Sequence, residues 1–452
     1  MLTQERTPRS MPGLPANRLA GAYAWLVAFF VVYCARPEDW IPGLHYIPLA
    51  KITGILAVVA LFSSLGEVRR LPREVLYLLL LLVQFCLTIP FASVWRGGAF
   101  NHVLEFSKVV VIVPVVVLAV STLARLRRLI FAQTACLLAV AIVSLATGRV
   151  VRDRLIGVLG GVYENPNDLA LAIVLTMPFC FAFMLGARSG LRKASWLLAV
   201  AIMTYALLRT SSRGGLLAFV ICMGLLLWEF GIRGRRHYLL PLAGLIALAG
   251  LLVAGRGVKS RFGAMFSDNA NYSGDAASYA SAVQRRELFW RSLALAARHP
   301  LFGVGPGNFQ IVSGVWRVAH NSYTELAAEG GLPALIFFLL VFRRAFDNVR
   351  QTQLLVGEQT EQMLLARALR CGLVGFGVGA LFASVEYHFF PYFLVAYTSA
   401  LYAIAAKHTS QAQSSQGTTP KRRLNNRIRG EDRGLDVPGG PREECRVLAS
   451  RR

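Results

Sequence analysis

The sequence predicts an all-α, polytopic membrane protein, and three observations carry this prediction. Hydrophobic residues make up 55% of the 452 positions and charged residues only 16%, with a mean hydropathy of +0.51; soluble domains are about 45–50% apolar and about 25% charged. Apolar runs recur along the chain, each long enough to cross a bilayer core of roughly 30 Å. Clusters of basic residues follow every second run.

We count twelve apolar runs, each of which predicts a membrane-spanning helix. They lie at about 22–36, 47–64, 74–94, 103–121, 127–147, 167–187, 191–209, 214–231, 236–254, 325–342, 366–386 and 389–406. Between the ninth and tenth runs lies the one long segment that tolerates polar residues, which predicts a single large loop.

The basic residues concentrate in short loops on one side of the runs, which is the pattern of cytoplasmic loops. They are Arg6, Arg9, Arg18, Arg69, Arg70, Arg73, Arg125, Arg127, Arg128, Arg188, Arg192, Lys193, Arg233, Arg235, Arg236, Arg343, Arg344 and Arg350. The alternation places both termini in the cytoplasm and the large loop outside. The net charge of +24 therefore indicates the lipid bilayer as a partner and not nucleic acid, because a uniformly basic surface would not show this period.

Five segments follow from this layout. Residues 1–21 are predicted to be a disordered cytoplasmic N-terminus, and residues 407–452 a disordered, basic cytoplasmic tail. Spans one to nine occupy 22–254, an outer loop with an amphipathic helix occupies 255–324, and spans ten to twelve occupy 325–406. The tail could be attracted to anionic lipids of the inner leaflet or could have no role.

The outer loop carries eight basic residues against three acidic ones. Basic residues are usually scarce on the outer side, so their concentration here favours a negatively charged ligand that approaches from outside. The alternative is that long loops are translocated whatever their charge.

Within this loop, residues 281–298 predict a helix. Spacings of four, three and four place one set of residues on a single face: Arg286, Trp290, Leu293 and Ala297. Arg286 would then share the buried side, where an unpaired charge costs several kcal/mol and needs a partner or a ligand. Snorkelling of Arg286 from the first turn is the alternative.

Two other helix starts face the same side. Asn165 can cap a helix with Pro166 in its first position, where the missing N–H costs nothing, so span six is predicted to begin there. Arg213 lies in a tight turn entering span eight, next to Gly214 and Gly215. A helix N-terminus presents free N–H groups and a positive dipole end, which favour phosphate; an interfacial anchor is the alternative role of Arg213.

His320 is the candidate base. The sequence Ser322-Tyr323-Thr324-Glu325 fits a capping box, so span ten is predicted to start at Ser322. His320 would lie just before the cap, where a neutral imidazole could accept a proton from a sugar hydroxyl. A lone histidine often has no role; its place beside three helix starts and the basic loop favours one here.

These features together suit a pyrophosphate ligand. The glycine run at 303–307 follows no strand and is interpreted as a turn that shapes the loop, not as a dinucleotide motif. The seven cysteines include no CxxC pair and predict neither a metal cluster nor a disulfide scaffold. Without an Asp, Glu and His cluster of metal-binding spacing at the outer face, a reaction without metal or other cofactor is expected.

The chain resembles the O-antigen ligase and O-antigen polymerase family of bacterial envelope glycan assembly. The matching pieces cover about 205–345 and are Ser212-Arg213-Gly214, Arg286 with Trp290, the run from His299 to Phe309, and His320-Asn321-Ser322-Tyr323 with Glu325, Glu329 and Gly330. The early Arg36-Pro37-Glu38-Asp39-Trp40 turn is also similar to the exosortase-associated O-glycosylation ligases of this family.

The resemblance implies a GT-C-like fold in the bacterial inner membrane, with the active site on the periplasmic face. It implies an undecaprenyl-pyrophosphate-linked glycan donor and inverting, metal-independent transfer to a hydroxyl of a glycan, lipid A core or a protein. His320 would activate the acceptor, and Arg213 and Arg286 would bind pyrophosphate, with the adjacent Arg285 as the competing match. Asn167, Asn321 and Tyr323 are also assigned to substrate binding.

Three functions remain open from the sequence. A ligase would move a finished glycan to its acceptor, whereas a polymerase would extend the glycan one repeat at a time. A transporter of an anionic lipid or solute would place ionisable residues near the bilayer midplane, but the charges here collect at the outer boundary.

Overall fold

The computed structural model of this chain describes residues 19–41, 43–64, 71–151, 154–157, 163–253 and 276–416. Each of the twelve apolar runs contains a helix, and the described part of the outer loop contains one more long helix and the four-residue helix Phe309–Val312. Pro37–Trp40 is a further short helix. The longer helices are numbered in chain order. The helices are α1 Ala20–Ala35, α2 Leu49–Ser64, α3 Arg73–Thr88, α4 Arg96–Ala119, α5 Leu123–Thr147, α6 Pro166–Gly186, α7 Gly190–Thr210, α8 Arg213–Leu226, α9 Leu239–Val253, α10 Ala276–Arg298, α11 Ser322–Leu355, α12 Glu361–Gly379 and α13 Phe389–Gln416.

The described part of the chain is therefore that of an all-α polytopic membrane protein. Nine of its helices are long and apolar enough to cross a membrane, and Leu49–Ser64 is a shorter apolar helix. The count of twelve spans, the sidedness and the GT-C-like fold stay predictions. The disorder predicted for most of the N-terminal segment and for residues 417–452 of the tail lies outside the described residues, as does the outer loop over 254–275. The first ten residues of the predicted tail, 407–416, are instead helical and continue α13.

One short antiparallel strand pair departs from the all-α expectation. Strand β1, Val150–Val151, pairs with β2, Arg154–Leu155, and Val151 lies opposite Arg154. The pair sits in the connection between α5 and α6, and it matters because it positions the side chain of Arg154.

Helix α6 lies at the centre of the bundle, with 83% of its most apolar window buried. Large aromatic side chains of α13 fill the space beside it. The rings of Phe393 on α13 and Phe30 on α1 lie 4.2 Å apart, and the buried Tyr397 hydroxyl donates to Gln133 Oε1 on α5 at 2.6 Å. The buried Tyr397 hydroxyl is thus paired, as burial requires.

Helix α11 is kinked nine residues after its start, and the kink leaves backbone groups without partners inside the helix. Gly331 has φ 76° and ψ 177°, outside the helical region, and Pro333 follows two residues later without an N–H. The carbonyl groups of Ala328 and Glu329 consequently lose their partners four residues on. Glycine is required at this position, because a Cβ there would lie 2.5 Å from the Leu301 carbonyl oxygen.

The glycine run of the outer loop docks on this kink. The N–H groups of Val304 and Gly305 donate to the two freed carbonyls at 2.8 and 2.9 Å, and the freed N–H of Leu332 donates to Pro300 O at 2.7 Å. The side chain of Gln84 adds two hydrogen bonds from α3, to the carbonyls of Leu301 and Gly330. The run is a turn that shapes the loop, as the sequence predicts.

A cluster of charged side chains lies where α8 ends and α12 begins, away from the start of α11. Glu229, in the π-helical turn Leu227–Ile232 that continues α8, pairs with Arg370 at 2.8 Å and with Arg367 at 3.6 Å. These groups neutralise one another within the end turns of α8 and the first half of α12, so they form a structural ion-pair cluster away from His320.

Candidate active site

The site is built on the first turn of α11. Asn321 caps the helix, and its side-chain oxygen accepts from the N–H groups of Tyr323 at 3.0 Å and Thr324 at 3.2 Å. The helix begins at Ser322 as predicted, but the prediction that Ser322 is the cap was wrong by one residue. The Ser322 hydroxyl instead donates to the Ala383 carbonyl at 2.8 Å and so joins α11 to the connection between α12 and α13.

Replacement of the cap has a calculable cost. Asn321→Ala removes the side-chain acceptor of the Tyr323 and Thr324 N–H groups, and we expect it to lower the free energy of unfolding by about 0.5–2 kcal/mol. Asn321→Ser should restore most of this loss, because serine is an equally good cap. Thermal unfolding of the purified variants in detergent measures the difference; equal stability of the alanine variant and the parent would contradict the capping role.

His320 immediately precedes the cap in a strained conformation. Its φ is 55°, in the left-handed region that non-glycine residues rarely adopt. The neighbours hold it there: the Ala319 N–H donates to Glu325 Oε2 at 3.0 Å, and the Ser384 hydroxyl donates to the same oxygen. Glu325 therefore acts as a positioning residue for the turn that presents the imidazole.

The electrostatic environment keeps this imidazole neutral. Burial, together with the positive charges of Arg285, Arg317 and Arg154, lowers the pKa of His320 to about 4. Within the described part of the chain, the imidazole makes no hydrogen bond, so neither ring nitrogen is occupied by a protein partner there. A neutral, unoccupied imidazole can accept a proton near neutral pH.

The side chain of Asn167 joins the start of α6 to the start of α8. Its side-chain oxygen accepts from the Ser212 hydroxyl at 2.8 Å and from Arg154 Nη2 at 3.0 Å. Ser212 caps α8, accepting from the Gly215 N–H, and Arg213 is the first residue of that helix. The predicted cap of α6 is confirmed as well, because the Asn165 side chain accepts from the Asn167 N–H.

The face predicted for Arg286 was wrong. Arg286 and Trp290 are exposed, whereas Arg285 lies partly buried on the face that packs inward with Leu288. Leu288 joins a small core with residues of the glycine turn and α11. This tertiary packing determines which face of α10 is buried. The Nε of Arg285 is buried without a hydrogen-bond partner among the described residues, and burial, with the charge of Arg213, lowers the pKa of Arg285.

The structure thus gathers four of the predicted residues and leaves others in different settings. His320, Arg213, Arg285 and Asn167 lie in one interconnected region. The oxygen atoms of Asn321 and Tyr323 serve the fold, since the Tyr323 hydroxyl donates to the Gly377 carbonyl at 2.9 Å. The substrate-binding roles of all these residues, Arg286 included, stay predictions.

Two further arginines were not singled out from the sequence. Arg154 donates to the Thr210 carbonyl at 3.1 Å as well as to Asn167, and Arg317 donates to Gln284 Oε1 at 2.5 Å. Both add positive charge around His320. The only signal for Arg154 was its position in an outer loop rich in arginine, and Arg317 lies three residues before His320 in the chain.

Carboxylates near the site serve the loop. Glu329 Oε1 accepts from the Phe309 N–H at 3.2 Å and its Oε2 from the Tyr387 hydroxyl at 2.7 Å. Among the residues that the structure describes, no group of three or more His, Cys, Asp or Glu side chains is placed to hold a metal ion. The metal-independent reaction stays a prediction.

Comparison with known protein families matches part of the chain. Residues 198–339 match a family model described as O-antigen ligase. The matched segment runs from the middle of α7 to α11 and contains Arg213, Arg285, Arg286 and His320, but not Asn167. No curated protein matches the chain.

Proposed function

We propose that this chain is a membrane glycosyltransferase of the O-antigen ligase type, which moves a glycan from an undecaprenyl-pyrophosphate donor to an acceptor hydroxyl. The match of residues 198–339 to the family model described as O-antigen ligase supports this proposal. The acceptor would be a sugar of lipid A core or a protein side chain, and the site would face the periplasm. Assignment to the exosortase-associated subgroup stays a prediction.

One observation supports this proposal above the others: a neutral histidine lies beside fixed positive charges. The arginines that depress the pKa of His320 come from β2, α10 and the loop before α11, and Arg213 adds its charge at the start of α8. Transfer from a sugar pyrophosphate uses a neutral base to take the proton of the acceptor hydroxyl. It also uses a cationic cluster to stabilise the departing pyrophosphate.

The reaction uses the two groups in different ways. The acceptor hydroxyl transfers its proton to the His320 imidazole while its oxygen attacks the anomeric carbon from the side opposite the pyrophosphate. The bond between that carbon and the phosphate oxygen breaks, and the pyrophosphate departs with the electron pair. Arg285 and Arg213 stabilise the charge that gathers on it, a contribution often worth about 2.7–4 kcal/mol in sites of this kind.

Donor binding and base strength are coupled through charge. In the free protein burial and the nearby arginines lower the pKa of His320 to about 4, where the imidazole is a weak base. A pyrophosphate bound among them would offset their charge and raise the pKa toward the operating pH, where a general base is most effective. The histidine would therefore become a better base when the donor is present.

This coupling predicts a specific pH dependence. Protonated His320 cannot accept a proton, so transfer should fall as the pH falls through the pKa of His320. For kcat/KM of the donor, which reports the free protein, we expect the acid limb near pH 4, with little change between pH 7 and 5. Arg285→Gln removes a positive charge and should move this limb to higher pH. A reconstituted assay measures both profiles, and a wild-type limb at pH 6–7 would contradict the proposed environment.

The proposed function itself is tested in a strain that lacks the protein. Loss of a ligase should leave a full-length, lipid-linked glycan that accumulates in the membrane and is absent from the acceptor. Loss of a polymerase should instead abolish the ladder of glycan lengths. Unchanged lipid-linked glycan and unchanged acceptor would remove both glycosyltransferase functions and leave transport.

A further inference from the structure

A cavity of about 900 Å³ lies at the end of the helix bundle opposite to His320. The last turn of α6, at Gly186, and the first turns of α7, at Arg192 and Trp196, contribute to its lining. Helix α6 begins beside Asn167 and runs for 21 residues, so the cavity is roughly 30 Å from the candidate active site at 1.5 Å per residue. It is a separate site.

Arginine side chains dominate the polar lining of this cavity. They are Arg127, Arg128, Arg188, Arg192 and Arg236, and they face a single carboxylate, Glu361. Arg127 pairs with Glu361 at 3.6 Å, whereas none of the other four forms an ion pair in the part of the chain that the structure describes. A cleft lined by charges of one sign concentrates counter-ions, so the cavity attracts an anion.

The remaining wall is aromatic. Phe183 and Trp196 stack with their ring centroids 5.1 Å apart, and Phe131 meets Trp196 edge-on at 5.7 Å. Phe131 is 50% exposed and lies on a helix that is long and apolar enough to cross a membrane. The lining therefore offers an apolar surface next to the arginines, and a small soluble anion would leave this surface uncovered.

The position of the cavity favours a membrane lipid. The arginines belong to the loops that the sequence predicts to be cytoplasmic, where the leaflet is rich in anionic headgroups. Exposed Leu198 on α7 continues the apolar surface away from the arginines, toward the middle of the predicted span. An occupant with a negative head and an apolar chain matches both halves of the lining.

We propose that this cavity binds an anionic membrane phospholipid. Its phosphate lies among Arg188, Arg192 and Arg236, whose planar guanidinium groups suit phosphate oxygens. Its acyl chain lies against Phe131, Phe183 and Trp196. The volume falls within the range of about 300–1,000 Å³ of ligand-binding cavities. This proposal does not depend on the reaction at His320.

Lipid retention by the full chain tests the proposal. The purified protein in detergent is titrated with phosphatidylglycerol or phosphatidylcholine, and bound lipid is counted by native mass spectrometry. We expect selective retention of phosphatidylglycerol and a loss of affinity of roughly 10- to 30-fold in the double variant Arg188→Gln/Arg192→Gln, since each basic residue near an anionic headgroup contributes about 1 kcal/mol.

A matched control removes the same charge elsewhere. Arg343→Gln/Arg350→Gln takes two exposed arginines from α11, in the region that the sequence also predicts to be cytoplasmic, and should change affinity less than about twofold. An equal loss in both double variants would show nonspecific attraction and overturn the proposal. Equal binding of the two lipids by the parent protein would do the same.

Two further measurements separate the lipid from a soluble anion. Trp196→Ala should weaken retention of phosphatidylglycerol, because it removes part of the surface for the acyl chain. Glycerol phosphate, which has no acyl chain, should not displace the lipid at equal concentration; displacement would assign the cavity to a soluble phosphate ester instead. If the double variant fails to purify, Arg236→Gln gives the same decision on the arginines.

Discussion

His320→Ala should abolish glycan transfer while the protein still binds the lipid-linked donor. The imidazole is the proposed acceptor of the hydroxyl proton, and a positioned general base typically contributes about 10²–10⁴-fold in rate. The alanine variant removes that base without removing any arginine. In a strain lacking the wild-type protein, we expect the variant to accumulate lipid-linked glycan as the deletion does, and binding of undecaprenyl pyrophosphate by the purified variant should be unchanged.

His45→Ala provides the control for a loss of histidine as such. His45 is exposed in the short helical turn Leu44–Tyr46, which the sequence predicts to lie on the same outer side. That variant should transfer glycan at the parental rate. Transfer by His320→Ala at the parental rate would remove the base from the proposal, and loss of donor binding in that variant would assign His320 to the ligand site instead.

The parts of the site that the sequence predicted are those set by local contacts. Asn165 and Pro166 mark the start of α6, because a cap and its N–H partner are two residues apart. The same rule located the start of α11 but chose the wrong cap. The Ser322 hydroxyl donates instead to the Ala383 carbonyl, 61 residues away. A rule based on neighbouring residues cannot predict such a contact.

The parts that the sequence missed depend on contacts between distant segments. The amphipathic pattern of α10 put Arg286 on the buried face, yet Val304, Phe309 and Ala328 pack against Leu288 and turn the helix so that Arg285 faces inward. Arg154 reaches Thr210, 56 residues on, through the short strand pair. Such pairings follow from the tertiary fold, and the periodicity of a single helix does not contain them.

Arg285→Gln should weaken donor binding far more than Arg286→Gln, although the two residues are adjacent and carry the same charge. Arg285 is partly buried, and its Nε has no hydrogen-bond partner among the described residues, so a bound phosphate could complete its hydrogen bonds. A hydrogen bond to a charged group contributes about 1.5–3 kcal/mol, which corresponds to roughly 10- to 150-fold in affinity. Arg286 is exposed, and its attraction for the donor is screened by solvent and salt.

Comparison of Arg285→Gln with Arg286→Gln distinguishes a direct contact with the donor from long-range electrostatic attraction. Titration of each purified variant with undecaprenyl pyrophosphate, at low and at high salt, gives the two dissociation constants. Long-range attraction alone would weaken donor binding equally in both variants at low salt, and at high salt both would bind the donor as the parent does. A contact through Arg285 would persist at high salt in the parent and be lost only in Arg285→Gln, and Arg213→Ala should behave like Arg285→Gln if both arginines bind the same pyrophosphate. If Arg286→Gln is the weaker binder, the inward face of α10 is not the face that meets the donor.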